Sequence, residues 1–578
     1  MNGGKIIADV LKANGTEFLY TLCGGHISPI FVEAKKAGIR VIDSRDEVNT
    51  VFAADATARL TGKPGVAAVT AGPGVTNTLT AIRNALMAQS PLILLGGATA
   101  TVLRGRGALQ DIDQQSLMRP NVKWTTVVTK VSDLAETIQR AFYIAQNGIP
   151  GPVFVECPID LLYPEAMVRD WYGVNNDPKD YPLAKKAEHY YLKFHLDRTF
   201  SGKNKWGKLF SNHQAKAPAH SKGNENKVAA ALNAAKKPLM VIGSQTMLQA
   251  QNAEAIAEAV KKIGVPVYLS GMARGLLGAD HELQARHNRK TALREADLVL
   301  LAGVPCDFRM DYGRHISGKV KLISVNRSHE ELYKNRKPQI AVHGEPGDFL
   351  ISLSQNASLK QSNWNEWISQ LHKNDEARET EITKKAEEKT EGINPIALFR
   401  ELEKMLPEKT VLVADGGDFV ATASYILHPR SPLSWLDPGV FGTLGVGGGF
   451  AAGAKLCRPD EETWIIYGDG SSAYTLAEFD TFARHKIPVI ALIGNDASWA
   501  QIARDQVDFL GDSVATDLAF TDYHEVAKGY GGDGIKITDI SQLADAVAKA
   551  REANKQGKPF LINAILGKTD FRKGSISV

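Results

Sequence analysis

Three oxygen-bearing side chains in the last third of the 578-residue chain stand where two successive strands should end: Asp469, in the turn Gly468-Asp469-Gly470, and the neighbours Asn495 and Asp496. The run from Gly468 to Trp499 reads as a strand ending in that turn, the amphipathic helix TLAEFDTFARH, the apolar strand PVIALI and a polar exit. This order puts Asp469 and the Asn495/Asp496 pair at the carboxyl ends of parallel strands, where open α/β sheets hold ligands. A carboxylate joined by an amide or a second carboxylate suits a hard, octahedral, oxygen-loving cation in the company of phosphates, which means Mg²⁺ before Zn²⁺. The expected cargo is a diphosphate cofactor.

Other candidates lie toward the N-terminus. In IRVIDSRDEVNTVF, Glu47 follows a β-branched strand and opens a helix, so by position alone it is either a functional carboxyl or a helix N-terminal charge favoured by the dipole. AGPGVTNTLTAIRNAL offers Gly72 and Gly74 for a sharp strand-to-helix turn and Asn77 near the helix start, a pattern able to cradle a phosphate. His26 sits in the glycine-rich turn LCGGHISPIF, and GALQDIDQQ places Gln110 and Gln114 in a polar loop. In the last third, VADGGDFVATASY follows a strand with a turn whose N–H groups can meet a phosphate, with Gly417 and Asp418 as its neighbours. Gly470 and Ser471 of the GDG turn belong to the same expected cradle.

The elements that must position these residues repeat three times. Residues 1–165 alternate strands such as VAAVTAG and GPVFVECP with helical segments, residues 226–357 repeat the alternation through PLMVIGS and DLVLLAG, and residues 393–578 do so through VLVADGGD and FLINAIL. Each run predicts a doubly wound parallel α/β sheet. Between them lie a basic insert, 166–225, and a charged stretch, 358–392, that reads as a solvated helix or linker.

Bulk properties exclude several classes. Hydrophobic content of 44% with 23% charged residues is ordinary for a globular protein, and a formal charge of +4 does not make a nucleic-acid footprint, which needs a clustered basic face. The excess is local: residues 166–225 hold 11 Lys and Arg against 6 Asp and Glu. Cys23, Cys157, Cys306 and Cys457 have neither metal-ligand nor disulfide spacing, which fits a reducing compartment. The opening MNGGKIIADVLKANG has helical alternation rather than a signal-peptide centre, and PLILLGGATATVL is too short and broken to span a membrane, so a cytoplasmic location is expected.

The GDG-helix-strand-ND arrangement resembles the thiamine diphosphate (ThDP) motif of the decarboxylase, carboligase and acetolactate synthase superfamily. The resemblance implies pyrimidine-binding, central and diphosphate-binding domains at 1–165, 226–357 and 393–578. It also implies that Glu47 bonds the ring nitrogen of the aminopyrimidine and drives its imino tautomer; a carboxyl in a dry pocket can share a proton with such a nitrogen. The GPG-TN segment is then expected to line the active site, Gly442 to offer a backbone carbonyl to the amino group, and Leu444 to be the apolar wedge that bends the cofactor. Aligned without gaps, Asp496 takes the usual asparagine ligand position and Ser498 the backbone-carbonyl one, whereas residue identity favours Asn495; both stay open beside Asp469. His26, Gln110 and Gln114 look similar to the benzaldehyde lyase branch, where a histidine and a glutamine bind substrate oxygens.

Within the superfamily, WLDPGVFGTLGVG, TDYHEVAKGYG, CDFRMDYGRHISG and the ending TDFRKGSISV look most like the acetolactate synthase-like proteins, whose vertebrate members act as 2-hydroxyacyl-CoA lyases. That implies cleavage of a 2-hydroxyacyl-CoA to an aldehyde and formyl-CoA, with acyloin-type condensation as the reverse; the alternative is an acetolactate synthase or benzaldehyde lyase-type carboligase on free 2-keto acids or acyloins. The presence of both Glu47 and Asp469 argues against a silent regulatory subunit. A homodimer or homotetramer with shared active sites is implied, as is room for FAD or the ADP part of coenzyme A in the central domain, where Arg274, Arg309 and Arg327 are candidates. The insert's Tyr190, Tyr191, Phe194 and Trp206 among lysines could lie on an anionic bilayer over 183–210, but the favoured expectation is packing over protein.

Overall fold

The computed structural model describes residues 2–202, 216–221 and 223–573. Two compact units divide the chain, Met1–Ala58 with Lys63–Lys216 and Arg59–Gly62 with Ala217–Val578. The first unit is built on one parallel sheet of β1 (Phe18–Thr21), β2 (Arg40–Asp43), β3 (Gly65–Val69), β4 (Leu92–Ala98), β5 (Trp124–Val127) and β6 (Pro152–Pro158), in the order β2-β1-β3-β4-β6-β5. β3, β4 and β6 are buried along their whole length, so they read as unbroken apolar runs rather than alternating ones. Helices close both faces; Gly3–Ala13, capped by the Asn2 side chain on Lys5 N–H, turns Ile6, Ile7, Val10 and Leu11 inward.

The second unit carries two more parallel sheets. One orders β7 (Pro238–Ile242), β8 (Val267–Leu269), β9 (Leu298–Ala302), β10 (Lys321–Asn326) and β11 (Ile340–His343) as β11-β10-β9-β7-β8. The other orders β12 (Thr410–Ala414), β13 (Trp435–Leu436), β14 (Glu462–Gly468), β15 (Ile490–Asn495), β16 (Asp533–Ile537) and β17 (Phe560–Ile565) as β13-β12-β14-β15-β17-β16. The expected fold class, three parallel α/β sheets in series, is what the chain adopts.

The charged stretch at 358–392 is largely one helix, Asn365–Ala386, yet it is not merely solvated. Trp367, Leu371 and Ile382 are buried, and the Trp367 indole donates to Pro238 O at 3.0 Å. In the basic insert the helix Leu183–Thr199 buries His189, Leu196 and Thr199 and leaves Leu183, Tyr190, Tyr191 and Phe194 exposed. Trp206 and the end of TDFRKGSISV lie outside the described residues. No described helix is long and apolar enough to cross a membrane.

Candidate active site

In the first unit the candidate residues converge beyond the carboxyl ends of β1, β2 and β3. Glu47 is the first residue of the helix Glu47–Thr61, buried, and Asn77 Nδ2 donates to its Oε2 at 3.0 Å. Gly74 lets the turn approach Thr70: a Cβ there would lie 2.8 Å from Thr70 Cγ2, too close, and 3.5 Å from Glu47 Oε1, an ordinary contact. Gly72 takes φ of 61°, which turns the chain from β3 into the short helix Pro73–Asn77. Its N–H donates to Gln114 Oε1 at 2.9 Å, while Gln114 Nε2 donates to Gly97 O at 3.0 Å. Both ends of the Gln114 amide are thereby spent on backbone, so this residue ties the GPG turn to the end of β4. Gln110, at φ of 63°, packs its own backbone against Gly72, where an added Cβ would meet Gln110 Cβ at 2.9 Å. His26 is half-buried with Nδ1 3.3 Å from Thr70 Oγ1, and burial pushes its pKa down, which favours the neutral ring.

Gln110 and Gln114 also line a cavity of ≈ 300 Å³ beyond the ends of β4, β5 and β6, together with Arg104, Lys130, His195 and Arg198. The insert helix supplies the last two. Buried Asp160 accepts from Thr101 N–H at 3.1 Å, and Thr101 Oγ1 lies 2.7 Å from His195 Nε2, so the insert is fastened to the loop that carries Gln110. Sequence patterns do not reveal this Asp160-Thr101-His195 chain, because its three members are far apart in sequence.

In the second unit a cavity of ≈ 260 Å³ opens at the carboxyl ends of β12, β14 and β15. Gly417, Asp418, Gly442, Leu444, Gly470 and Ser471 line it, as do Asp469, Asp496 and Ser498; Asn495 does not. Gly417, at φ of 100°, caps the helix Asp418–Ile426 and leaves its first N–H groups facing the cavity, a place for an anion. The Asp418 carboxylate is already paired with the Arg504 guanidinium. Ser471 Oγ donates within the turn to Gly468 O at 3.1 Å. Asp469 Oδ1 accepts from Gly470 N–H at 2.8 Å and Oδ2 from Ser498 N–H at 3.2 Å, which draws the two strand ends together.

The two carboxyls at this end are held against their own ionisation. Burial pushes Asp469 up to about 6, and burial with repulsion from Asp469 and Asp418 pushes Asp496 up to about 7. A divalent cation would relieve that repulsion, which is the donor chemistry Mg²⁺ requires. The fully buried Asn495 points elsewhere: its Nδ2 donates to Thr521 O at 3.1 Å and to Asn563 Oδ1 at 3.2 Å. Among the described residues no group of three His, Cys, Asp or Glu could hold a metal by protein side chains alone. Trp499, unremarked in the sequence, lies against Gly470 so closely that a Cβ there would stand 2.5 Å from the indole.

A third cavity, ≈ 520 Å³, is strongly basic and includes Arg274, Arg286, Arg289, Lys290 and Arg309. Of the three arginines singled out from sequence, Arg274 is half-buried and donates to Ser424 O at 2.8 Å, and Arg309 pairs with Asp307 at 2.7 Å. Arg327 forms a buried pair with Glu345 and does not line this cavity.

Comparison with known proteins matches the three-sheet architecture. The thiamine pyrophosphate enzyme family models match in order, the N-terminal TPP binding domain at residues 1–117, the central domain at 226–353 and the C-terminal TPP binding domain at 415–564. The chain is 52% identical to a protein named 2-hydroxyacyl-CoA lyase 2 from Danio rerio, over 100% of this chain and 93% of the relative. It is 48% identical to the protein of the same name from Homo sapiens, over 100% and 92%. A probable acetolactate synthase from Mycobacterium bovis is 31% identical over 98% of this chain and 96% of its own.

Proposed function

We propose that this chain, which belongs to the thiamine pyrophosphate enzyme family, cleaves the C1–C2 bond of 2-hydroxyacyl-CoA to give an aldehyde and formyl-CoA, uses Mg²⁺, and runs the reverse acyloin condensation. The observation that carries the substrate class is the gap in likeness between the lyase relatives and the acetolactate synthase, both aligned over nearly the whole chain. ThDP, when bound, would supply a nucleophilic carbon to add to the thioester carbonyl and a cationic thiazolium ring to take up the electron pair released when that bond breaks.

The residues divide the remaining work. Glu47, steadied by Asn77, would exchange a proton with the aminopyrimidine nitrogen of bound ThDP, and Gly442 O would accept from its amino group. Leu444 would be the wedge, and Gly417 with the GDG turn, which line the same cavity, would face the diphosphate. Asp469, Asp496 and the Ser498 carbonyl would hold Mg²⁺; support for Asp496 over Asn495 is that only Asp496 lines the cavity beside Asp469. His26 and Gln110 bind substrate oxygens, with Gln114 positioning the GPG turn between them. The basic cavity has the charge to take the phosphates of an adenine nucleotide, as part of CoA or of FAD. A family site shared between subunits implies at least a homodimer.

The test supplies ThDP, Mg²⁺ and a 2-hydroxyacyl-CoA and follows formyl-CoA and aldehyde, then pairs formyl-CoA with aldehydes of increasing length for the reverse direction. Release of CO₂ from pyruvate with no formyl-CoA from the thioester would reject this reading in favour of the acetolactate synthase one.

A further inference from the structure

The wedge residue Leu444 stands on a glycine-rich piece of backbone, packed against Tyr474 and Tyr467 and tied at Gly448 N–H to Thr475 Oγ1 at 3.3 Å. Gly442 at φ of 66° and Gly445 at φ of 84° flank Thr443 and Leu444 with two left-handed hinges, and the helix that follows, Gly447–Cys457, begins with three glycines. Its N-cap residue, Val446, has no side chain able to satisfy the first N–H groups, and no acidic residue lies in its first turn. A leucine carried by such a segment has no fixed place unless something outside the loop supplies one.

Asp415 does. It follows β12, its own N–H is tied to Ile466 O of β14 at 3.1 Å, and it is almost fully buried. Its Oδ1 accepts from Gly445 N–H at 2.8 Å and its Oδ2 from Gly447 N–H at 2.7 Å. One carboxylate from a rigid strand end thus caps the helix N-terminus through space and fixes the backbone immediately after Leu444. The next residue completes the device: Gly416 has no side chain, and Leu444 Cδ2 occupies that space, 2.2 Å from where a Cβ would be. We infer that Asp415 is a positioning residue for catalysis, which sets the place of Leu444, and so the bend of the bound cofactor, through the amides of Gly445 and Gly447. The inference rests on the ThDP reading above.

Asp415→Asn keeps one acceptor and turns an amide N–H₂ toward a backbone N–H, so one of the two anchoring bonds is lost. The protein is tested with ThDP and Mg²⁺ bound, by kcat, by ThDP affinity and by the near-ultraviolet circular dichroism band of the bound aminopyrimidine. The expected result is a fall of about 10- to 100-fold in kcat, loss of the band, and ThDP affinity held within about 3-fold because the diphosphate end is untouched. Leu444→Ala should reproduce this pattern, and the double variant should be no worse than the poorer single one. Full kcat and an unaltered band in Asp415→Asn, or losses that multiply in the double variant, overturn the inference. Should Asp415→Asn fail to fold, Asp415→Glu keeps the charge and displaces the loop; a folded Asp415→Glu with full activity, or failure of both variants to fold, reduces Asp415 to a residue of the fold and overturns the inference too. No ThDP binding by the unaltered protein would reject the functional reading itself.

Discussion

Replacing Gly416 by alanine tests the wedge with the smallest perturbation the structure allows. The residue does not occupy the left-handed region, unlike its neighbour Gly417 at φ of 100°, so a Cβ brings no backbone strain, only volume. That volume is taken by Leu444 Cδ2, 2.2 Å away, and ordinary contact begins near 3.4 Å, so the methyl must retreat by about 1.2 Å. The retreating atom is the far end of a flexible side chain, so the least costly response is rotation of Leu444 rather than movement of β12. Stability should therefore stay within about 1 kcal/mol of the unaltered protein, since the small gain from a less flexible unfolded chain offsets part of the crowding. Catalysis should not: a displacement of about 1 Å in a positioning group costs on the order of 10² in rate, or roughly 2.7 kcal/mol of barrier. The assay is steady-state kcat and KM at saturating ThDP and Mg²⁺, with thermal melting of the cofactor-free protein alongside. A Gly416→Ala enzyme with normal kcat would refute the assignment of Leu444 as the wedge; a collapse of the melting temperature would refute the claim that the leucine yields before the backbone does.

Three further outcomes are expected. Glu47→Gln should bind ThDP yet lose most turnover, about 10²- to 10⁴-fold, and near-normal activity would undo its role in proton exchange. Asp496→Ala should weaken Mg²⁺ binding, measured by titration of activity against the metal, whereas Asn495→Ala should leave the metal dependence alone and lower the melting temperature by removing the bonds to Thr521 and Asn563; the reverse pattern would restore Asn495 as the ligand. In the cofactor-free protein the buried carboxyls make stability pH-dependent: Asp415 and Asp496 are raised to about 7 and Asp469 to about 6, so the folded state binds more protons than the unfolded one between about pH 4 and 7. Stability is then highest near pH 4 as far as these groups are concerned and is lost as pH rises to about 7, by at most about 4 kcal/mol for Asp415. ThDP with Mg²⁺ should flatten that slope by favouring ionised Asp469 and Asp496; a cofactor-free protein whose melting temperature rises across this window would contradict the sign.

The buried strands were legible because burial on both faces leaves an apolar run with few other readings: β3 as VAAV, β4 as LILL, β14 as TWIIY. The strands that the apolar pattern passed over are β5, β11, β13 and β16, and each is a sheet edge. β5 is only half-buried along its length, and β16 begins with an aspartate and a glycine, so neither presents the run that a central strand does. The charged helix Asn365–Ala386 was legible as a helix but not as a packed one, since three buried side chains are a thin stripe within 22 residues. At the candidate site the glycine turns and their neighbouring acids stood out as local strings. Asp415, the Asp160-Thr101-His195 chain and the double engagement of Gln114 did not, because each is a contact across loops whose partners the sequence does not name.

The one ambiguity at the metal position comes down to the alternation of a β-strand. Asn495 is the last residue of β15, registered against Ile565 of β17; its amide nitrogen is spent inside the sheet layer on Asn563 and Thr521, while its buried Oδ1 accepts no hydrogen bond and does not line the cavity. Successive side chains along a strand point to opposite sides, so an inward Asn495 commits residue 496 to the other side as the strand ends. That side is the cavity with Asp469. The identity of the residue follows from a different pressure: a neutral asparagine there would feel no repulsion from Asp469, whereas an aspartate raises its own pKa to about 7 and gains more from a bound cation. The cost of an empty site is therefore greater in this chain than in one with asparagine at 496, and so is the pull on the metal. Asp496→Asn should weaken Mg²⁺ binding most at pH 8, where the aspartate is ionised, and least near pH 6; an affinity change equal at both pH values would mean that charge at 496 does not contribute to metal retention.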